Sequence, residues 1–139
     1  MTAKDIFHDT VRLALEKDGW TITNNPLTLS PSRRATVKID LAAEKLLSAE
    51  KGTRKIAVEV KSFVGLSTIY EFHTAVGQYI NYRLALEDLK IERILYLALP
   101  KDIYQNFFND PFIKKVISQN KIKLLVFEIE KQEIALWID

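Results

Sequence analysis

The spacing of apolar residues changes from every second residue to helical spacing and back, which restricts the fold of this chain. Val37, Ile39 and Leu41 alternate with polar residues, as is typical of a half-buried strand. The run 54–63 alternates in the same way, and helical spacing follows it. The predicted order is helix–strand–strand–strand–helix–strand–helix–strand–strand, which indicates an α/β fold with a mixed central sheet flanked by helices.

A long helix is predicted between the two groups of strands, from Ser67 or Thr68 to about Asp88, with Glu71 completing a capping box from Thr68. Its predicted buried stripe consists of Phe72, Val76, Tyr79, Ile80 and Leu84. Gly77 lies inside this helix, where glycine costs about 1 kcal/mol relative to alanine, so we expect close packing on the sheet there.

Two segments before this helix give weaker signals. Residues 24–32 contain Pro26 and Pro31 and are predicted to form a loop. Residues 42–50 suit either a helix or a strand, and the sequence leaves that choice open.

The composition limits both the size and the chemistry of the protein. Its 139 residues predict one domain, over 1–139, and the net charge of +2 permits but does not demand nucleic-acid binding. The absence of cysteine excludes disulfides, zinc ribbons and cysteine nucleophiles, and two histidines cannot complete a three-ligand zinc site. No apolar run is long enough to span a bilayer and the N-terminus lacks a signal pattern, so we expect a cytoplasmic protein without membrane contact.

Two acidic residues and one lysine are predicted to converge on one face of the sheet. Glu59 and Lys61 are two residues apart on a strand, so their side chains leave the same face, and Asp40 joins them if the two strands pair. Carboxylate oxygens are the ligands that Mg²⁺ prefers, so Asp40 and Glu59 are the predicted metal ligands. A bound metal lowers the pKa of its water, and a lysine orients that water or stabilises the transition state of phosphodiester cleavage.

These residues resemble the motif of the PD-(D/E)XK nuclease superfamily. The match is Asp40 followed by the E-x-K element at 59–61, although Ile39 stands where the family name implies proline. Members often carry a Gln-x-x-x-Tyr pair on the following helix, and Gln78 and Tyr82 have that spacing. The resemblance implies a restriction-endonuclease-like fold, with Mg²⁺ or substituting Mn²⁺, and with Asp40, Glu59, Lys61, Gln78 and Tyr82 forming the catalytic site.

The same superfamily tends to place an acidic residue of the first helix against the metal. The candidates here are Asp5, Asp9 and Glu16, with His8 in a similar position. The sequence does not choose between them.

A further resemblance covers nearly the whole chain. The segments AKDIFHDTVRLALEKDGWTITNNPLTL, KIAVEVKSFVG and TAVGQYINYRLAL resemble the XisH family of controlling factors for excision of the fdxN DNA element. The resemblance implies a role in DNA rearrangement and a small XisI-like protein partner. It does not imply that the protein cuts DNA, because the recombination belongs to a separate recombinase.

Two functions therefore stand side by side. The first is an excision controlling factor with a Mg²⁺-dependent endonuclease site, which the complete set of Asp40, Glu59 and Lys61 favours and which is compatible with a homodimer. The alternative is a non-catalytic accessory factor that binds DNA or an XisI-like partner, which the modest net charge favours. Arg33, Arg34 and Lys38 suit either phosphate contacts or ordinary surface charge. The preferred DNA, the oligomeric state and the effect of the partner are not encoded in recognisable motifs.

Overall fold

The computed structural model describes residues 2–139 as one six-stranded mixed sheet with helices on both faces and a separate hairpin. The helices are α1 (Ala3–Lys17), α2 (Thr68–Asp88), α3 (Lys101–Asn106) and α4 (Pro111–Gln119). The strands are β1 (Thr21–Asn24), β2 (Leu27–Ser32), β3 (Ala35–Ile39), β4 (Leu41–Ser48), β5 (Gly52–Val60), β6 (Ile94–Pro100), β7 (Leu124–Glu128) and β8 (Glu133–Ile138). No helix within residues 2–139 combines the length and the apolar character that crossing a bilayer requires.

The sheet has the order β1-β4-β5-β6-β7-β8, with β5, β6 and β7 parallel to one another. The outer pairs β1–β4, β4–β5 and β7–β8 are antiparallel, and β2 and β3 form a two-stranded sheet of their own. The parallel pairs need crossover connections, which α2 and the α3–α4 segment provide. The predicted α/β fold with a mixed central sheet flanked by helices is confirmed.

The two faces of the sheet bury separate hydrophobic clusters. Val58 and Val60 of β5 pack in one cluster with Val11 and Leu15 of α1. Ala57, on the same strand, belongs to the other cluster, which α2, α3, α4 and the β2–β3 hairpin cover. Because neighbouring residues of a strand point to opposite faces, Glu59 lies on the α2 face, away from α1.

The structure corrects the prediction for residues 24–32 and resolves the open choice for 42–50. Most of the predicted loop is strand β2, and Pro31 fits there because β2 pairs only with β3. A proline is tolerated in such an edge strand since its missing N–H faces away from the partner. Residues 41–48 form strand β4 despite their helix-favouring composition, because pairing with both β1 and β5 outweighs local preference.

The N-cap of helix α2 is one of the two predicted residues, but the role of Glu71 at this end of the helix differs from the prediction. Ser67 is the N-cap, and its hydroxyl accepts a hydrogen bond from the Tyr70 amide. The carboxylate of Glu71 accepts from the Gly65 amide at 3.0 Å, so the predicted capping box with Thr68 is wrong.

The predicted buried stripe of α2 is partly wrong. Phe72 and Tyr79 are buried as expected, whereas Ile80 and Leu84 are exposed. The small residues Ala75 and Ala85 are buried instead. Gly77 is exposed with open space around it, so close packing on the sheet does not explain it.

Candidate functional site

The chain changes direction at Asp40, between β3 and β4, and this break brings Asp40 beside Glu59. Strand β4 pairs with β5 in a register that sets Leu41 opposite Val58. The predicted strand around Asp40 ends at Ile39 as β3 and pairs with β2, so the pairing that the predicted site assumed is made by β4 instead. Asp40 reaches Glu59 from the bend that joins β3 to β4. The Val60 amide donates to Asp40 Oδ2 at 2.8 Å, and the Asp40 amide donates to Glu59 Oε1 at 3.2 Å. These two hydrogen bonds tie the bend at Asp40 to the end of β5 and bring the carboxylates of Asp40 and Glu59 close together.

Glu59 is a buried carboxyl group with an altered acidity. Only 6% of the residue is exposed. Burial and, to a smaller extent, the negative charge of Asp40 raise the pKa of Glu59 to about 7, although Lys61 opposes both effects. Two carboxylates in one partly buried site repel each other, so the pair holds a cation or a proton more readily than isolated carboxylates do.

Lys61 follows the end of β5 and closes one side of the site. Its amide donates to the Ala98 carbonyl of β6 at 2.9 Å, which extends the parallel pairing past the last strand residue. Its Nζ lies 3.5 Å from Glu59 Oε2, and 26% of the side chain is exposed. The ammonium group is thus partly exposed and pairs with the buried carboxylate of Glu59.

Gln78 and Tyr82 of α2 lie on the helix that covers this face of the sheet. Burial raises the pKa of the partly buried Tyr82, and the charges of Glu59 and Asp40 raise it further, so this tyrosine lies within the field of both carboxylates. Gln78 precedes it by one helical turn. Gln78 Oε1 is buried and, among residues 2–139, accepts no hydrogen bond.

The five predicted residues are therefore brought together to different degrees. Asp40, Glu59 and Lys61 form a network of direct contacts. The charges of Glu59 and Asp40 act on Tyr82, whereas Gln78 Oε1 accepts no hydrogen bond from the network or from any other group of residues 2–139.

The side chains of α1 that were candidates for the metal site contact other groups instead. Thr2 donates to the Asp5 carboxylate at 2.8 Å. Arg12 pairs with Glu16 at 2.7 Å and lies 4.0 Å from Asp9. His8 shares a 2.8 Å hydrogen bond with Asn25. Helix α1 packs on the face opposite Glu59, which explains why the contacts of these side chains are with other partners.

The donor set of the site suits a hard cation with few protein ligands. Asp40 and Glu59 each use one oxygen to accept a backbone amide, and a carboxylate has lone pairs for further partners. Within residues 2–139 no group of three His, Cys, Asp or Glu side chains is arranged to hold a metal. Mg²⁺ commonly binds through one or two carboxylates and keeps several waters, so the two carboxylates fit it chemically.

A large cavity lies at the opposite end of the sheet and contains none of the five predicted residues. Its volume is about 1020 Å³, and it opens where β6 and β7 begin and where α2 and α4 end. Tyr79, Arg83, Lys123 and Phe108 are among its lining residues. Because its walls come from the ends of separate elements, no local sequence pattern signals it.

The comparisons with known proteins decide the family. A family model described as XisH protein matches residues 1–135. The chain belongs to the XisH family. It is 49% identical to an XisH family protein from Nostoc punctiforme, with a TM-score of 0.87, over 97% of this chain and 100% of that one. A fdxN element excision controlling factor protein from Anabaena variabilis is 48% identical with a TM-score of 0.87, over 97% of this chain and 99% of that one. No curated protein matches the chain.

The whole-chain resemblance to the XisH family is thus confirmed. The matched span includes all five predicted site residues, from Asp40 to Tyr82. The family assignment by itself names no reaction.

Proposed function

We propose that this XisH family protein is an excision controlling factor in DNA rearrangement and that it carries a Mg²⁺-dependent endonuclease site. The role in excision rests on the Anabaena variabilis relative, which is described as a fdxN element excision controlling factor. The endonuclease site rests on one observation, the convergence of the Asp40 and Glu59 carboxylates beside the Lys61 ammonium, with Asp40 hydrogen-bonded to both Glu59 and Val60. An alternating surface strand would leave such groups solvated, whereas here a buried carboxyl is retained at a cost that function would explain.

The chain's own groups would divide the work between metal binding and water activation. The carboxylates of Asp40 and Glu59 would hold Mg²⁺, with Mn²⁺ as a substitute. The bound ion would supply charge neutralisation at the scissile phosphate and a water of lowered pKa. Lys61 Nζ lies 3.5 Å from Glu59 Oε2, so its ammonium would be beside an ion held by Glu59. From there it would donate a hydrogen bond to the attacking water or to a phosphate oxygen. Tyr82 and Gln78 would support the site from α2, Gln78 through its unpartnered Oε1.

The test is cleavage of supercoiled and branched DNA with Mg²⁺ or Mn²⁺, with and without an XisI-like protein. Wild type is compared with Glu59→Gln and Lys61→Ala, and with Glu133→Gln, an exposed strand residue, as the matched control. We expect nicking or cutting by wild type and the control, and a loss of at least about 100-fold in the two site variants, as is usual for groups acting on the transition state. Cleavage that survives in both site variants, or absent cleavage under every condition, contradicts the endonuclease proposal.

The accessory function is favoured by a different feature of the same contacts. The hydrogen bonds of Asp40 and Glu59 tie the β3–β4 junction to β5, so the carboxylates also serve the fold. A purely accessory factor would associate tightly with the XisI-like partner and show no metal-dependent turnover. Co-elution with that partner in a preparation that never cleaves DNA supports this alternative.

Cutting both strands of a duplex usually needs two sites, so we also propose that the active form is a homodimer. The molecular mass in solution, measured by light scattering with and without DNA, tests this part. A monomer that makes double-strand breaks at limiting protein contradicts it.

A further inference from the structure

The β2–β3 hairpin stands apart from the main sheet and leads directly into Asp40. One face of the hairpin packs against the α2 side of the core, through buried Leu29 and Ile39 and partly buried Leu27 and Val37. The opposite face is turned to solvent and is entirely polar. Its exposed residues are Thr28, Ser30, Thr36 and Lys38, with Ser32, Arg33 and Arg34 at the turn.

The charge of this segment differs from that of the rest of the chain. Of the 20 Lys and Arg residues, three lie within residues 25–39, whereas none of the 18 Asp and Glu residues does. The hairpin therefore supplies more than the whole net charge of +2. Within residues 2–139, Arg33, Arg34 and Lys38 form no ion pair.

The chemistry of this face matches a phosphate backbone. Arginine, lysine, serine and threonine are the side chains that contact phosphate oxygens in protein–DNA complexes. Side chains on one face of a strand are two residues apart, or about 6.6 Å, and a DNA strand carries one phosphate per about 3.4 Å of axis, so Thr36 and Lys38 of β3 are spaced to contact every second phosphate. A two-stranded ribbon also fits the major groove in width.

The same face lacks the features that single-stranded nucleic acid requires. Binding of single strands depends on aromatic side chains on which bases stack. Residues 25–39 contain no Phe, Tyr or Trp. The observations therefore favour a duplex held through its backbone over a strand held through its bases.

We propose that the outer face of the β2–β3 hairpin is a sequence-independent binding surface for the phosphate backbone of duplex DNA. Lys38 precedes Asp40 by two residues, so the strand that carries this face leads directly into the candidate site. The inference rests on the proposed function in that DNA is the substrate of the adjoining site.

The test measures binding of a fluorescent 30-base-pair duplex in EDTA, where metal-dependent cleavage cannot occur. The variant Arg33→Gln/Arg34→Gln/Lys38→Gln is compared with Lys4→Gln/Lys90→Gln/Lys115→Gln, which removes three exposed positive charges elsewhere. We expect the hairpin variant to bind at least about tenfold more weakly at 100 mM salt and to lose about 2–3 from the slope of log K against log salt. The control variant should keep the wild-type slope to within about one.

Equal weakening in both variants, no duplex binding by wild type, or tighter binding of a single strand at the hairpin overturns the inference. The circular dichroism spectrum of each variant is compared with that of wild type to check that the fold is retained. Hairpin-dependent binding without cleavage under any condition leaves this inference standing and contradicts the endonuclease proposal. Cleavage with undiminished binding by the hairpin variant contradicts this inference alone.

Discussion

Opposing electrostatic effects act on the carboxyl group of Glu59. It is buried, faces a second carboxylate and has one cation nearby at 3.5 Å. The hydrogen bond from the Asp40 amide offsets part of the desolvation cost, but its pKa still rises to about 7. Near neutral pH the protonation of Glu59 is therefore sensitive to any charged group that approaches the site.

The acidity of Glu59 predicts how stability depends on pH in metal-free protein. Its folded-state pKa of about 7 lies above the ordinary 4.5, so the folded state binds the proton more tightly than the unfolded state. The free energy of unfolding should therefore fall as the pH rises from about 4.5 to 7. Glu59→Gln removes the ionisation and should be more stable than wild type at pH 8, by up to about 3 kcal/mol, and similar near pH 4.5.

Urea denaturation across this pH range, with chelator present, measures the difference. Glu133→Gln, at an exposed position of β8, should follow wild type throughout. A gap between Glu59→Gln and wild type that stays constant with pH would show that Glu59 does not titrate in this window.

Substitution of Gln78 distinguishes a role of this residue in the candidate site from a role in packing. A buried acceptor without a partner costs about 1–3 kcal/mol, so replacing it with an apolar side chain of similar length should not harm the fold. Gln78→Met is expected to match or exceed wild-type stability while DNA cleavage falls at least about tenfold. Urea denaturation and plasmid cleavage on the same preparation test both halves, with Tyr82→Phe as a comparison that removes only a hydroxyl. Destabilisation with unchanged cleavage would make Gln78 a structural residue.

At the scale of elements, the sequence predicted most reliably where a strong period coincides with burial. The apolar residues of β5 and α1 follow their patterns because Val58 and Val60 of the strand and the apolar face of the helix are buried in the same cluster. The errors occur where a second surface competes. Helix α2 packs against both the sheet and the hairpin, and its buried face includes small residues such as Ala75, while Ile80 remains exposed. Apolarity alone does not reveal such geometry.

The two glycines Gly77 and Gly52 provide a matched test of backbone conformation. An added Cβ would meet no atom within 4 Å at either position, so packing does not distinguish them. Gly77 has ordinary helical geometry inside α2, and Gly77→Ala should raise stability by about 0.5–1 kcal/mol. Gly52 has φ +72°, and Gly52→Ala should lower stability by about 1 kcal/mol because L residues disfavour that region. Thermal and urea unfolding measure both, and a destabilising Gly77→Ala would show that the exposed glycine serves a partner or a helix distortion.

At the scale of the whole molecule, chain topology determines which residues meet. Asp40 and Glu59 are 19 residues apart and come together only because β4 folds back along β5. The alternating pattern predicted β3 and β5, but the segment that pairs with β5 is β4, for which the sequence left helix and strand open. Periodicity therefore placed Glu59 and Lys61 on one face, whereas the approach of Asp40 depended on a pairing that the sequence did not determine. The cavity at the other end of the sheet depends on where α2 and α4 end in space, which is a property of tertiary packing that local periodicity does not encode.

If the carboxylate pair is a metal site, ion binding must stabilise the whole fold, because a ligand that binds only the native state raises its free energy of unfolding. At ion concentrations tenfold above Kd the gain is about 1.4 kcal/mol, which raises the unfolding temperature of a domain of this size by about 3–5 °C. We expect that shift with Mg²⁺ or Mn²⁺ in wild type and in Glu133→Gln. Asp40→Asn should abolish this stabilisation because the substitution removes the negative charge that would bind the ion. The fold should be retained, since the amide oxygen of asparagine can still accept the hydrogen bond from Val60. The same shift in Asp40→Asn would place the ion elsewhere, and no shift in wild type at about 20 mM Mg²⁺ would leave Asp40 and Glu59 as a purely structural clamp between strands.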